Sequence, residues 1–176
     1  MARFPYTKLN AKINQEVKTI AVEGVDTPIE VRQYLPVDEK LALIGRVIEL
    51  AHDENNFSNP LKVQVYFTLE VIEAYTNITF TEKQKENPPK LYDALMSSGW
   101  VDKIVDAIPE DEFGILLTGV DDTIEAYYKY RNSALGILET VSTDYSNMDL
   151  DITALQQKLA NGENIELVKD IIGKLG

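Results

Sequence analysis

The sequence predicts a mainly α protein in which an N-terminal extended arm and a β-hairpin precede a helical bundle of about five to seven helices. Three observations carry this expectation. Apolar residues recur at three- and four-residue spacing through most of the chain beyond Pro36. Two short β-branched runs near the N-terminus are separated by turn formers. Ahead of them, "MARFPYTKLNAKI" has a proline and no helical stripe. With 44% apolar and 26% charged residues among 176, the chain has globular composition and enough length to bury a core without cofactor or crosslink. This suits one domain, with room for an appended subdomain.

Residues 1–16 are assigned to the arm. Pro5 disfavours helix around Phe4 and Tyr6, and the alternation of residues 9–13 suits a half-buried strand. Residues 17–34 form the hairpin, with strands near 17–22 and 29–33 around "EGVDTP", where Gly24, Asp26 and Pro28 favour a turn. Two strands alone are marginal, so the hairpin must pack on helices or join a partner's sheet.

The bundle is placed at residues 35–145. "YLPVDEKLALIGRVIELAH" begins with Pro36 at the first helical position, and Asp38 and Glu39 suit the positive end of the helix dipole. Val37, Leu41, Ile44, Val47, Ile48 and Ala51 form its expected buried stripe. "DENNFSNP" is loop. Residues 61–76 open with strand-like "KVQVYF", but length and the following "TLEVIEAY" favour a buried helix. "NITFTEKQKENPP" is a connection with room for a short strand at 78–81. Helices then start at Pro89 and Trp100, stopped by Gly99 and Pro109 respectively. From "PEDEF" onward, Phe113, Leu117, Val120, Ile124, Tyr127, Leu135, Leu138 and Val141 make a stripe over about 30 residues. Gly114, Gly119 and Gly136 are its weak points. "STDYSNMDLD" marks a boundary, and residues 146–176 form a C-terminal pair of amphipathic helices too short to stand alone.

The formal net charge of −12 is unevenly spread. Arg3, Lys8, Lys12 and Lys18 against Glu16 give the first 20 residues +3, so the rest carries −15. So acidic a body would repel a phosphate backbone, and direct nucleic-acid binding is not expected. Without cysteine there are no disulfides, thiolate nucleophiles or sulfur-ligated zinc sites. No apolar run is long enough to span a bilayer or to act as a signal peptide, so the expectation is a protein made in a cytosol without a membrane anchor. The sequon Asn77-Ile78-Thr79 then has no glycosylation role.

Candidate chemistry is sparse. His52 is the single histidine, which excludes triads needing another; it suits an exposed helix end better than a general base or metal ligand. "DENNFSNP" departs from a calcium loop, because Phe57 stands where an oxygen ligand belongs. Asp121 with Asp122, and Asp149 with Asp151, suit caps and solvated charge better than a magnesium site. No phosphate-cradling glycine motif occurs. No enzymatic activity, cofactor or metal is expected. Candidate partner-binding residues are Arg3, Phe4, Tyr6, Lys8, Leu9, Lys12 and Ile13 in the arm, and Tyr128, Tyr130 and Arg131 in "AYYKYRNSALGILE", residue types enriched at interface hot spots.

The strings "FPYTKLNAKIN", "IEVRQYLPVDEKLALIGRVIE", "YTNITFTEKQKENPPKLYD" and "NSALGILETVSTDY" resemble proteins that tailed bacteriophages and prophages of low-GC bacteria encode among their virion morphogenesis genes. The likeness covers nearly the whole chain and carries no catalytic residues. It implies a structural or assembly protein of the phage particle, at a head, neck or capsid-associated position, located in the virion and in the host cytoplasm during assembly. The implied partners are other copies of the chain or other phage structural proteins in an oligomeric assembly. The arm suits that role: Phe4, Tyr6, Leu9 and Ile13 would fill apolar pockets, Arg3, Lys8 and Lys12 would meet an acidic rim, and the hairpin could extend a neighbour's sheet. A soluble assembly chaperone or an inhibitor of a host protein is the alternative role.

Overall fold

The computed structural model of the chain describes residues 5–52 and 59–137, and these are mainly helical, with a two-stranded hairpin near the N-terminus. The chain divides into two compact units, Met1–Asp121 and Asp122–Gly176. The C-terminal pair expected at 146–176 lies outside the described residues, as do Leu138 and Val141 of the long stripe.

In the first unit, β1 (Val17–Ile20) and β2 (Ile29–Arg32) pair antiparallel, with Val17 opposite Arg32 and Ile20 opposite Ile29. Gly24 in the connecting turn has φ 74°, a left-handed conformation that favours glycine. Only β2 reaches the core, through fully buried Val31. Helical neighbours supply the support that an isolated hairpin lacks. Val31 forms a bridge with Thr76, and Gln33 donates to the Ala107 carbonyl at 3.0 Å. Asn77 accepts from the Glu30 N–H at 3.1 Å and donates to the Pro28 carbonyl at 3.2 Å. The asparagine of the sequon therefore fastens the hairpin to the end of a helix.

Helix α1 spans Val37–Ala51, with Pro36 at the cap rather than in the first turn. Its buried face is Lys40, Leu43, Val47 and Ala51. This corrects the expected stripe: Val37 and Leu41 are 61% and 65% exposed, and Ile44 and Ile48 are half-buried on the flank. The phase rotates because Lys40 can face the core once its charge is paired there, which a pattern of apolar residues cannot register.

Helix α2 spans Pro60–Tyr75; the Asn59 side chain accepts from the Leu61 and Lys62 N–H groups, and Pro60 occupies the first turn. Its buried residues Val65, Phe67, Leu69, Val71, Ile72 and Tyr75 lie around much of its circumference, as expected of a central helix. Residues 78–81 form no strand; Thr81 instead caps a short helix α3 (Glu82–Lys85). Thr81 Oγ1 accepts from the Gln84 N–H while the Gln84 side chain accepts from the Thr81 N–H at 2.8 Å, a reciprocal capping box.

Helices α4 (Pro88–Ser97) and α5 (Trp100–Val105) follow, joined through Gly99 at φ 71°. A Cβ on Gly99 would meet no atom within 4 Å, so only the backbone opposes substitution. Gly99→Ala is accordingly expected to lose about 1–2 kcal/mol in urea unfolding with an unchanged m-value. A neutral result would mean the turn relaxes out of the left-handed region.

Helix α6 spans Glu110–Arg131 and runs through Gly114 and Gly119 without interruption. It stops at Asn132 and Ser133, where the Ser133 hydroxyl donates to the Tyr130 carbonyl, and residues 134–137 resume a helical turn. The buried positions of α6 are Glu112, Leu116 and Val120, whereas Leu117 is exposed. Half-buried Phe113 meets Phe67 edge-on, with ring centroids 5.6 Å apart.

Candidate protein-interaction surface

Every described residue from 5 to 19 is exposed. Tyr6–Leu9 form a single 3₁₀ turn closed by the Lys8 N–H on the Pro5 carbonyl at 3.1 Å, and Asn10 then takes φ 48°. That left-handed residue interrupts the alternation of residues 9–13, so the expected half-buried strand does not form and Leu9 and Ile13 are left in solvent. Tyr6, Leu9 and Ile13 are 71%, 61% and 63% exposed, interleaved with Lys8 and Lys12. Burying each such apolar side chain contributes roughly 1.5–3 kcal/mol, none of which the core of this chain claims. Arg3 and Phe4 lie outside the described residues.

A second apolar surface in the same unit is one that apolar periodicity hides, because it places Val37, Leu41, Ile44 and Ile48 in the core. Helical periodicity puts Val37, Leu41, Ile44 and Ile48 on one flank of α1. That flank meets α6 at Gly119, where an added Cβ would lie 2.6 Å from Ile44 Cδ1; glycine lets the isoleucine lie close over the helix backbone. Ile115, one turn earlier on the same side of α6, is 53% exposed. Between the two flanks lies an apolar groove with Val37, Leu41 and Ile115 exposed, and the same two helices carry the exposed carboxylates Asp38, Glu49 and Asp111.

In the second unit, Tyr128 is half-buried, Tyr130 exposed and Arg131 half-buried. Tyr127 and Tyr128 meet edge-on at 6.0 Å, and Arg131 Nη1 donates to the Tyr127 hydroxyl at 3.3 Å. The arginine thus crosses to the ring one turn before it, which the i, i+4 spacing predicts.

Beneath the first unit's surface, Glu112 joins four elements. It accepts from Lys40 Nζ at 2.7 Å, from the Leu35 N–H at 3.0 Å and from the Tyr75 hydroxyl at 3.0 Å. Desolvation pushes its carboxyl up, but the hydrogen bonds from Lys40, Leu35 and Tyr75 together with the lysine charge outweigh this and hold it below the ordinary value. Burial, followed by the hydrogen bond to Glu112 and the carboxylate's charge, raises the Tyr75 hydroxyl. Lys40 Nζ also lies 4.7 Å from the centre of the Tyr34 ring. Nearer the surface, Arg32 holds Glu39 with two bonds of 2.6 and 3.0 Å. The network ties together the hairpin exit, α1, α2 and α6, and among the described residues no buried side-chain nitrogen or oxygen lacks a hydrogen-bond partner.

His52 follows α1, with Nδ1 2.5 Å from the Ile48 carbonyl oxygen. Among the described residues, no group of three His, Cys, Asp or Glu could hold a metal, and no helix is long and apolar enough to cross a membrane. No protein-family model, curated protein or solved structure significantly matches this chain.

Proposed function

We propose that this chain is a bacteriophage virion structural or assembly protein, a head, neck or capsid-associated component, and that it works through protein–protein contacts made by its leader. The observation that carries the proposal is the leader itself: Tyr6, Leu9 and Ile13 stand in solvent between lysines, ahead of a body of opposite charge. Apolar side chains in such a segment gain stability only against another surface, and lysines steer them towards an acidic one. The resemblance to phage morphogenesis proteins supplies the setting, with partners among other copies of the chain or other phage structural proteins. The proposal assigns no catalysis and no cofactor, and places the protein in the virion and, during assembly, in the host cytoplasm.

Deleting residues 1–14 is the test. Light scattering after gel filtration should find the full chain in an assembly and the truncated chain as a monomer. Unfolding stability should change by no more than about 0.5 kcal/mol, as for other exposed positions. Equal masses for the two chains would remove the leader as a self-assembly element. The strongly acidic body favours one alternative, a transient chaperone or inhibitor that masks a basic partner. Presence of the protein in purified particles selects the virion component over that alternative.

A further inference from the structure

We infer that the leader of one copy docks in the α1–α6 groove of a second copy, with Tyr6, Leu9 and Ile13 covering Val37, Leu41 and Ile115; this rests on the leader reading above and names its receptor.

Three observations select this pairing. Both surfaces are apolar and exposed in the same unit, each at residues more than half exposed. Their charges are complementary: residues 5–15 hold Lys8 and Lys12 and no acid, while the two receptor helices carry the exposed carboxylates Asp38, Glu49 and Asp111. The two cations of α1 are already engaged, Lys40 by Glu112 and Arg46 by Glu70 at 2.6 Å, and residues 110–121 contain no lysine or arginine. These two helix segments therefore offer carboxylates and no uncommitted cation to an arriving lysine.

The occupant belongs to a different copy. The leader joins β1 at Val17, opposite Arg32 and so only a few residues from the start of α1, yet its side chains are exposed rather than folded into the adjoining groove. Donor and receptor on one chain give a head-to-tail contact, in which each copy offers a leader to one neighbour and a groove to another. Such contacts close into rings or continue as filaments according to the rotation between copies, a geometry suited to a multi-copy assembly.

The absence of cysteine makes the pairing directly testable in full-length chains. A Leu9→Cys chain is mixed with a Leu41→Cys chain under mild oxidation, and the mixed disulfide is quantified by mass. A disulfide requires Cα atoms within about 7 Å, so it reports docking. The Leu9→Cys chain mixed with Thr79→Cys, an exposed position on the loop after α2, is the control. The expected yield of the Leu9–Leu41 heterodimer is at least tenfold above control, and Leu41→Asp in an otherwise native chain should weaken assembly at least tenfold. Equal yields, or unaffected assembly of Leu41→Asp, overturn the receptor while leaving the leader reading intact. Intramolecular closure alone, in a chain carrying both cysteines, overturns docking between copies. If truncation of the leader also leaves assembly unchanged, the receptor and the leader reading fall together.

Discussion

Glu112→Ala is expected to lose about 3–5 kcal/mol of folding stability, measured by urea unfolding followed by circular dichroism. The loss exceeds that of an ordinary hydrogen bond because the substitution strands three donors at once. Lys40 Nζ, itself buried, loses its counter-charge; the Leu35 N–H and Tyr75 hydroxyl lose their acceptor in a site closed to water. Lys40→Met should cost less, since Glu112 keeps the Leu35 and Tyr75 bonds. Combining Lys40→Met with Glu112→Leu should recover only the part owed to the unpaired Lys40 charge, because the Leu35 N–H and Tyr75 hydroxyl still lack their acceptor. With Glu112→Leu alone completing the cycle, strong non-additivity is the signature of the Lys40–Glu112 pairing. A loss under about 1 kcal/mol for Glu112→Ala would show that water enters and replaces the carboxylate.

The same site sets the pH limits. Glu112 is held below the value it has in the unfolded chain, so the unfolded state binds the extra proton. Its contribution is complete above the unfolded value, near pH 4–5, and is lost as pH falls through the folded value. Tyr75 behaves in the opposite sense. Its hydroxyl is raised by burial and by Glu112, so its contribution is complete below the ordinary tyrosine value, about pH 10, and is lost as pH rises through the folded value. Glu112→Gln should flatten the acid limb of a stability–pH curve. Tyr75→Phe should flatten the alkaline limb.

How far the sequence discloses this arrangement depends on the range of the interactions. Elements set by local chemistry were legible: the hairpin from its β-branched runs and Gly24, α2 from length and apolarity, and the α4–α5 break from Gly99. The capping box of α3 was equally local, since Thr81 and Gln84 stand three apart, but the polar run around them read as a connection. Phase was not legible. Lys40 faces the core only because Glu112, 72 residues later, meets it there. No periodicity analysis of α1 contains that partner. The leader's exposure was half legible: charge and Pro5 marked it as a separate element, while its alternation suggested burial that Asn10 prevents. The apolar groove is hidden for the same reason as the phase, because periodicity alone places Leu41 and Val37 in the core.

Leu43→Ala and Leu41→Ala decide that phase by direct comparison. Leu43 is fully buried, as are Leu35, Val47 and Ile72, and its truncation removes buried methyl groups and leaves a cavity; a loss of about 2–5 kcal/mol is expected. Leu41 is 65% exposed on the neighbouring flank, so its truncation should change stability by no more than about 0.5 kcal/mol. Both substitutions have the same helix propensity change, towards the better helix former, so propensity cancels between them. The difference in urea midpoints at constant m-value isolates burial. A larger loss at Leu41 than at Leu43 would restore the stripe through Val37 and Leu41 as the core face, and with it would remove both the buried position of Lys40 and the apolar groove. The expected order keeps Leu41 out of folding and leaves its methyl groups available for contact with another chain.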